Sequence, residues 1–308
     1  MKLIYIAGDE RSGSTLLDMM LAGHSEIISL GEAHQITAYA TKDKSHYTSV
    51  HEMICYCGEE IDNCKFWQAT ESHLGRPLDL LQLKPFFLRS NFQGRPIRKI
   101  FKKCVWLLLQ LWPGLYRIGF VQHVLGGVRA AEQSMALYNA TNAAHGGTYV
   151  LDSSKSLFRL FTMSVRTNVD IKVLLLNRDY RGVVGSKVKR GMDVRKAAYQ
   201  WKWVCRQMDV LTRDMLSQNV YRVKYEDLCI DTENTMLGIL DFLGLPFESA
   251  VLVRNHQDLH HLGGSPSKYV KDEGAINVDD SHKNVLSDKD IRTVASIVAP
   301  QCAHWGYE

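Results

Sequence analysis

Apolar runs and amphipathic stretches alternate along most of this chain. Four apolar runs are typical of buried strands: residues 2–7 and the segments "TYVLDSSK", "IKVLLLNRDYRG" and "NVYRVKYEDL". Stretches with helical periodicity separate them, at about 14–22, 122–144, 156–167, 181–191, 193–217 and 232–243. Because strands and helices alternate at this spacing, we expect an α/β fold whose central parallel sheet carries helices on both faces.

Two regions depart from this alternation. Residues 40–121 form no strand–helix pattern, and we interpret them as a mainly helical insertion that binds an acceptor, within a single domain of residues 1–308. Residues 259–286 are a loop rich in Gly and Asp, followed by a last helix over about 287–299. In parallel sheets ligands bind beyond the carboxyl ends of the strands, which is where the polar residues of this chain fall.

Composition and charge narrow the class of protein. The 308 residues are 45% hydrophobic and 23% charged, as in an ordinary globular protein. The net charge of +4 is explained by basic residues at an anionic ligand, so we expect no nucleic-acid partner. No signal-peptide pattern and no run of membrane-spanning length are visible, and the seven cysteines form no disulfide framework. We therefore expect a cytoplasmic protein with mostly reduced thiols.

The segment "GDERSGSTLLDMML" follows the first strand and resembles a phosphate-binding P-loop. Gly8 and Gly13 are five residues apart, and Thr15 stands where the P-loop has its hydroxyl. Ser14 replaces the P-loop lysine, which in ATP and GTP enzymes reaches the terminal phosphates. The spacing predicts a P-loop-like three-layer fold. The missing lysine argues against hydrolysis of a nucleoside triphosphate.

The same loop has the groups of an anion site. Backbone N–H groups at a helix N-terminus, the hydroxyls of Ser12, Ser14 and Thr15, and the charge of Arg11 can all face one anion. Farther along, "RDYRGVVGS" follows the strongest strand and offers Arg178 and a serine for a second phosphate. Each segment alone also fits a purely structural interpretation. The first could be a turn that caps a helix, and the second a surface arginine followed by a helix serine.

Together the two segments resemble the 3′-phosphoadenosine 5′-phosphosulfate (PAPS)-dependent sulfotransferases. "RSGST" is similar to the family's (K/R)-S-G-(T/S)-T loop, and Arg178 with Ser186 matches R-x-P-x-x-x-x-x-S, with Tyr180 in place of the proline. The resemblance continues in "DSSKS", "VKYEDL", "FLGLPF" and "HHLGGSPSK", and leaves about 40–121 unmatched.

The resemblance implies which residues hold the donor. Arg178 and Ser186 would bind the 3′-phosphate, and Lys268 matches a late basic residue that closes over the nucleotide. The family transfers the sulfuryl group without magnesium, so no metal is expected. The residues implied for the 5′-phosphosulfate are Arg11, Ser12, Gly13, Ser14 and Thr15.

Sulfuryl transfer also needs a base for the acceptor proton and a cation for the leaving oxygen. By resemblance to the tyrosylprotein sulfotransferases, Glu32 in "SLGEAHQ" is the base; a surface glutamate is the alternative. His34 is the rival base, because histidine titrates near neutral pH. Lys155 in "DSSKS" is either an electrostatic stabiliser or a solvated lysine. Asp152 or Ser153 is expected to cap the helix that follows.

Three further features admit more than one interpretation. Cys55, Cys57 and Cys64, with His51 upstream, could bind zinc, but the C-x-C spacing favours buried thiols or a local disulfide. The basic and apolar stretch 95–116 fits a packed helix, with peripheral membrane contact or an apolar acceptor pocket as the alternatives. Trp201 and Trp203 are interpreted as core and packing residues.

Two functions of different classes remain. The first is a PAPS-dependent sulfotransferase acting on a hydroxyl of a carbohydrate, a lipid-linked compound, or a small alcohol or phenol. The second is a P-loop kinase-like or non-catalytic nucleotide-binding protein. A kinase would need the missing lysine and an acid that binds magnesium, for which Asp152 is a candidate. The acceptor and the oligomeric state stay open.

Overall fold

A five-stranded parallel sheet lies at the centre of the protein in a computed structural model that describes residues 1–42, 54–84, 104, 127–214, 219–254, 259–265 and 276–307. The strand order is β2-β3-β1-β4-β5, and all neighbours run parallel. The predicted α/β fold is confirmed, whereas the short β2 was not predicted. The strands are β1 (Lys2–Gly8), β2 (Ile27–Ser29), β3 (Tyr149–Lys155), β4 (Ile171–Asn177) and β5 (Val220–Lys224).

Helices connect the strands and cover the sheet. In the described residues they are α1 (Ser14–Leu21), α2 (Ile36–Ala40), α3 (Lys65–Leu74), α4 (Gly127–His145), α5 (Leu157–Arg166), α6 (Tyr180–Val188), α7 (Val194–Asp214), α8 (Tyr225–Ile230), α9 (Thr232–Leu243) and α10 (Asp288–Trp305). Short 3₁₀ turns lie at Ala33–Gln35, Leu78–Leu80, Ser249–Leu252 and Ser281–Asn284.

Alternate residues of β1 belong to two separate cores. Leu3, Tyr5 and Ala7 pack in one core, and Ile4 and Ile6 pack in the other. This is the period of two that a strand imposes when both of its faces are covered. The first core receives side chains of α5, α7 and α10, and the second receives those of α1, α8 and α9. The sheet is therefore the middle of three layers, as predicted.

The end of the last helix and the cap of α5 differ from the sequence-based expectation. The last helix continues beyond the expected end at residue 299, with Pro300 inside it, and ends at Gly306. Its buried residues recur through the extra turn, because Cys302 and Trp305 continue the face that packs on the core. The N-cap of α5 is Ser156, whose side chain accepts from a backbone N–H, so neither Asp152 nor Ser153 caps this helix.

Part of the predicted insertion packs on the main core. Trp67 of α3 and Leu78, both inside the range 40–121, belong to the same buried cluster as β1. The stretch 95–116 lies outside the described residues apart from Cys104, so its predicted membrane contact or acceptor role stays a prediction. Among the helices that the structure describes, none has the length and apolar character needed to span a bilayer.

Candidate active site

A cavity of about 900 Å³ opens beyond the carboxyl ends of the strands. Its lining includes residues at the ends of the neighbouring strands β3, β1 and β4, and Gly264 and Ser265 from a loop near the other end of the chain. The volume is in the range of small-molecule and nucleotide sites, and the position is the usual one for a parallel sheet. The predicted site residues among the lining are Arg11, Gly13, Ser14, Thr15, Glu32, His34, Lys155 and Arg178.

The loop between β1 and α1 is held in an unusual backbone shape. Gly13 is the N-cap of α1 with φ of 93°, a conformation that glycine adopts without steric cost. A Cβ at Gly13 would lie 2.4 Å from the ring of Tyr225, so the loop also needs a residue without a side chain. Arg11 has φ of 73°. Strain of this kind in a non-glycine residue is often stored at functional sites.

Side chains inside the loop support its shape. The Ser12 hydroxyl is fully buried and donates to the Asp9 carbonyl at 2.7 Å, so this hydroxyl turns into the loop. The Asp9 carboxylate pairs with Lys187 of α6 at 2.6 Å. Burial raises the pKa of Asp9, and Lys187 opposes this effect. The pair anchors the loop to the helix that follows β4.

The two motifs predicted to hold the donor meet in space. The Arg11 Nε donates to the Ser186 hydroxyl at 2.9 Å, and Arg178 Nη1 donates to the Arg11 carbonyl at 3.3 Å. The Arg178 guanidinium also lies over the Tyr225 ring, 4.4 Å from its centroid, and donates to Asp279. Tyr225 and Asp279 were not identified from the sequence, although Tyr225 belongs to the quoted "VKYEDL".

Three arginines surround this end of the cavity. Arg11, Arg178 and Arg190 all contribute to its lining. Burial lowers the pKa of Arg11, and the charges of Arg190 and Arg178 lower it further. Like charges brought together at a buried position repel one another unless an anion lies between them. The arrangement is therefore that of an anion site.

The candidate base, Glu32, lies in the same cavity, away from the three arginines. Glu32 forms an ion pair with Lys155 and accepts hydrogen bonds from the Gln35 side chain and, at 3.2 Å, from the Gly264 N–H. Lys155 reaches it from a backbone with φ of 62° at the end of β3. Burial raises the pKa of Glu32, but the Lys155 ammonium and the hydrogen bonds outweigh burial, and the pKa lies below its usual value.

The rival base shares the cavity. His34 is half-buried, and its backbone N–H donates to the Ser154 hydroxyl at 3.3 Å. Both candidates stand near Lys155, at the end of β3. The structure therefore brings Glu32, His34 and Lys155 together, and Lys268 lies outside the described residues.

Residues 259–265, which we call the closing segment, contribute Gly264 and Ser265 to the cavity lining. Leu262 pairs with Gly31 in a parallel bridge, and the Ser265 N–H donates to the Thr15 hydroxyl at 3.0 Å. The buried His261 Nε2 lies 2.9 Å from the Asp18 carboxylate of α1. The resemblance noted in "HHLGGSPSK" gave this stretch a role through Lys268 but did not predict these contacts. The two glycines of "HHLGG" adopt positive φ here.

Comparison with known protein families indicates an activity for this cavity. The model of the Sulfotransferase family matches residues 126–249, which include β3, β4 and Arg178 with Ser186. The match covers less than half of the chain and shows a likeness to the sulfotransferase family. This likeness supports sulfotransfer as the activity. A comparison with curated protein sequences gives no match.

Solved structures extend the likeness to nearly the whole chain. The sulfotransferase domain from the Synechococcus PCC 7002 olefin synthase aligns with a TM-score of 0.58 at 19% identity, over 97% of this chain and 94% of that chain. The sulfotransferase domain from the curacin biosynthetic pathway aligns with a TM-score of 0.54 at 18% identity, over 100% of this chain and 98% of that chain. At these identities the likeness establishes the shared fold.

One assignment needs correction, that of Asp152. Asp152, the magnesium-binding candidate of the kinase interpretation, is fully buried and bonded to Tyr138 at 2.5 Å and Arg159 at 3.0 Å. It is not among the residues that line the cavity in the described part of the chain. Trp201 is buried as expected, with its Nε1 donating to the Arg178 carbonyl. Trp203 packs against the same core, also as expected, and in addition lines the cavity.

Proposed function

We propose that the protein transfers a sulfuryl group from PAPS to a hydroxyl acceptor by in-line displacement, with Glu32 as the base. The observation that carries this proposal is the contact between Glu32 and Lys155 beside the loop of residues 11–15. A carboxylate and a cation at one point of an anion-binding cavity are the two groups that the reaction needs.

Donor binding would use both ends of the β1–α1 loop. The N–H groups of residues 12–15 and the hydroxyls of Ser14 and Thr15 would receive the 5′-phosphosulfate at the N-terminus of α1. Arg178 and Ser186 would bind the 3′-phosphate, and Arg11, which touches Ser186, would lie between the two anionic groups. The Arg178–Asp279 contact would then give way to a contact with phosphate.

The reaction moves one proton and one sulfuryl group. Glu32 would remove the proton from the acceptor hydroxyl as the acceptor oxygen bonds to sulfur. The bond between sulfur and the bridging phosphate oxygen breaks, and that oxygen leaves with the electron pair as part of 3′,5′-bisphosphoadenosine (PAP). Lys155 would turn from Glu32 to the bridging oxygen and stabilise its growing charge. Leaving the ion pair would free Glu32 to accept the proton.

The buried Asp152 supports this function over the kinase alternative. A kinase would need a magnesium-binding acid that faces the phosphates, and Asp152 is bonded to Arg159 and Tyr138 inside the core. The loop also has Ser14 where a kinase has lysine. Both features fit a donor whose terminal group carries less charge than a triphosphate.

The experiment is sulfate transfer from ³⁵S-labelled PAPS. The protein is incubated with an acceptor panel of simple alcohols, phenols, sugars and long-chain alcohols, and PAP and labelled product are quantified. We expect PAP and product in equal amounts from the wild type. In Glu32→Gln the rate should fall about 10²- to 10⁴-fold, the usual contribution of a general base, with PAP affinity nearly unchanged.

Two further variants show whether the loss of rate is specific to Glu32. Glu248→Gln changes a carboxylate that bonds Ser25 outside the cavity lining and should keep the wild-type rate. His34→Gln should keep most of the rate. If Glu32→Gln stays active while His34→Gln does not, the base is His34. A wild-type protein that leaves PAPS intact with every acceptor, and consumes ATP with magnesium, would overturn the proposal.

A further inference from the structure

Four metal-ligating side chains converge away from the cavity described above. The Sγ atoms of Cys55, Cys57 and Cys64 and a ring nitrogen of His260 all lie within 4.8 Å of one another. His260 is far from the cysteines in sequence, and the sequence-based candidate His51 lies outside the described residues. None of the four is among the described residues that line the cavity. The cluster is therefore separate from the proposed chemistry.

Cys64 lies at the centre of this cluster. Its Sγ is 3.7 Å from Cys57 Sγ, 3.8 Å from Cys55 Sγ and 3.2 Å from His260 Nδ1. Cys55 Sγ lies 3.7 Å from the same Nδ1. All three cysteines are free. A disulfide needs sulfurs about 2.0 Å apart, so the local disulfide expected as an alternative is not formed here.

These separations are those of a tetrahedral zinc site. Zinc–sulfur bonds of about 2.3 Å place neighbouring sulfurs about 3.8 Å apart, and a zinc–nitrogen bond of about 2.0 Å gives sulfur–nitrogen separations near 3.5 Å. Three thiolates and one imidazole are also a ligand set that structural zinc sites use. A thiol–imidazole pair alone would not explain why two further sulfurs face the same point.

The backbone around the cysteines shapes the cluster. The Gly58 N–H donates to the Cys55 carbonyl at 2.9 Å, and the Cys55 N–H donates to the Glu59 carbonyl at 2.8 Å, which closes a tight turn. Gly58 has φ of 92°, as this turn requires. Cys64 follows as the N-cap residue of α3. The turn brings Cys55 and Cys57 to Cys64 despite the short C-x-C spacing.

An aromatic stack orients the histidine. The His260 ring lies parallel to Phe66, with 4.7 Å between centroids, and Phe66 stacks in turn on His145 at 3.9 Å. Stacked rings restrict rotation of the imidazole, so Nδ1 stays directed at the sulfurs. Cys55 and Cys64 are buried and Cys57 is exposed, which leaves a path by which an ion can enter.

We propose that Cys55, Cys57, Cys64 and His260 bind one structural zinc ion. The ion would tie the cysteine turn to the closing segment, of which His260 is part. His261, the next residue, contacts Asp18, and Gly264 contacts Glu32. The ion would thereby fix a wall of the cavity without taking part in the transfer. Binding would displace the thiol protons to solvent as thiolate–zinc bonds form.

The test is the metal content of the full-length protein purified under reducing conditions. We expect one zinc ion per chain by elemental analysis. Replacement by Co²⁺ should give the visible and near-ultraviolet bands of a tetrahedral ion with thiolate ligands. A strong chelator should lower the melting temperature, and added zinc should restore it. None of these readouts depends on sulfate transfer, so this proposal can fail independently of the proposed function.

Variants identify the ligands. Cys57→Ser and His260→Ala should lose zinc and the Co²⁺ spectrum, and their melting temperatures should no longer respond to chelator. Cys229→Ala removes a buried cysteine of α8 outside the cluster and should keep all three properties. If a variant fails to fold, the zinc content and the Co²⁺ spectrum of the wild type still test the proposal. Reduced wild-type protein without zinc that gives no Co²⁺ spectrum, or a disulfide among these cysteines by mass spectrometry, would overturn the proposal.

Discussion

The two sides of the cavity are built in different ways. On the donor side, Arg11 and Thr15 follow β1 and Arg178 follows β4, so each is placed by a strand, a loop and the next helix. On the other side, the closing segment is held by residues more than two hundred positions away, as in the His261–Asp18 and Ser265–Thr15 contacts. Each donor motif is therefore shaped locally, and the pairing of β1 with β4 joins the two, whereas the wall beside Glu32 depends on a segment from the far end of the chain.

Among the variants that test this comparison, Lys155→Met should have the largest effect, because Lys155 lies at the junction of the two sides. Lys155→Met should lower the turnover of PAPS about 10²- to 10³-fold, the usual loss when a group that stabilises developing charge is removed. PAP should bind nearly as well, because the loop after β1 is unchanged. Rates of PAP formation and the PAP affinity from calorimetry measure the two quantities. Equal losses in rate and affinity would instead make Lys155 a binding residue.

The donor loop can be tested through Gly13. Gly13→Ala should lower PAP affinity at least tenfold, because the new Cβ would meet the Tyr225 ring beside Arg178. Gly191→Ala is the matched control, since Gly191 has φ of 88° and nothing lies within 4 Å of its Cβ position. Both changes should cost about 1–2 kcal/mol of unfolding free energy for the left-handed backbone. Unchanged PAP affinity in Gly13→Ala would contradict the described loop.

The closing side can be tested through His261. His261→Gln should lower the free energy of unfolding by about 1–3 kcal/mol, because the Asp18 carboxylate would stay buried with a weaker partner. His304→Gln removes an exposed pair with Asp209 and should cost less than about 1 kcal/mol. Denaturant titration of the three proteins measures the difference. Equal costs would mean that the buried pair does not hold the closing segment.

The smallest effect is a dependence on pH. The pKa of Glu32 is lowered in the folded protein, so its ionised form contributes stability above the unfolded-state pKa. That contribution is lost as the pH falls through the folded-state value. The difference in stability between wild type and Glu32→Gln should therefore be constant from neutral pH to about 5 and shrink below that. If the wild type instead gains stability relative to Glu32→Gln as the pH falls from 7 to 5, the pKa of Glu32 is raised in the folded protein.

The same contrast explains what the sequence could predict. Apolar period and strand–helix alternation predicted the parallel sheet, and two short motifs predicted Arg11 and Arg178, because each depends on neighbours in the chain. Trp201 and Trp203 were expected as core and packing residues, and nothing in the sequence showed that Trp203 also borders the cavity. His260 lies in a segment that reads as polar loop, and its partners are the cysteines of a distant turn.

The contacts of Glu32 show what could not be predicted from the sequence within the site itself. Its role was suggested by resemblance, and its pairing with Lys155 follows from β2 and β3 being neighbours in the sheet. The strand β2 has only three residues, too few for an apolar pattern to reveal. The sequence analysis assigned Glu32 and Lys155 to the same reaction, but their direct contact could not be predicted without that strand.

The central claim is that the lysine-free loop and Arg178 form a site for the PAPS nucleotide. Its most direct test is calorimetric titration with PAP in the absence of magnesium, and with ATP in its presence. The variants are Arg178→Ala and, as control, Arg181→Ala, which removes a partner of Asp179 outside the cavity lining. We predict that PAP alone binds, that Arg178→Ala weakens it about 10- to 100-fold, and that Arg181→Ala has little effect. Binding of ATP with magnesium but not of PAP would contradict the account.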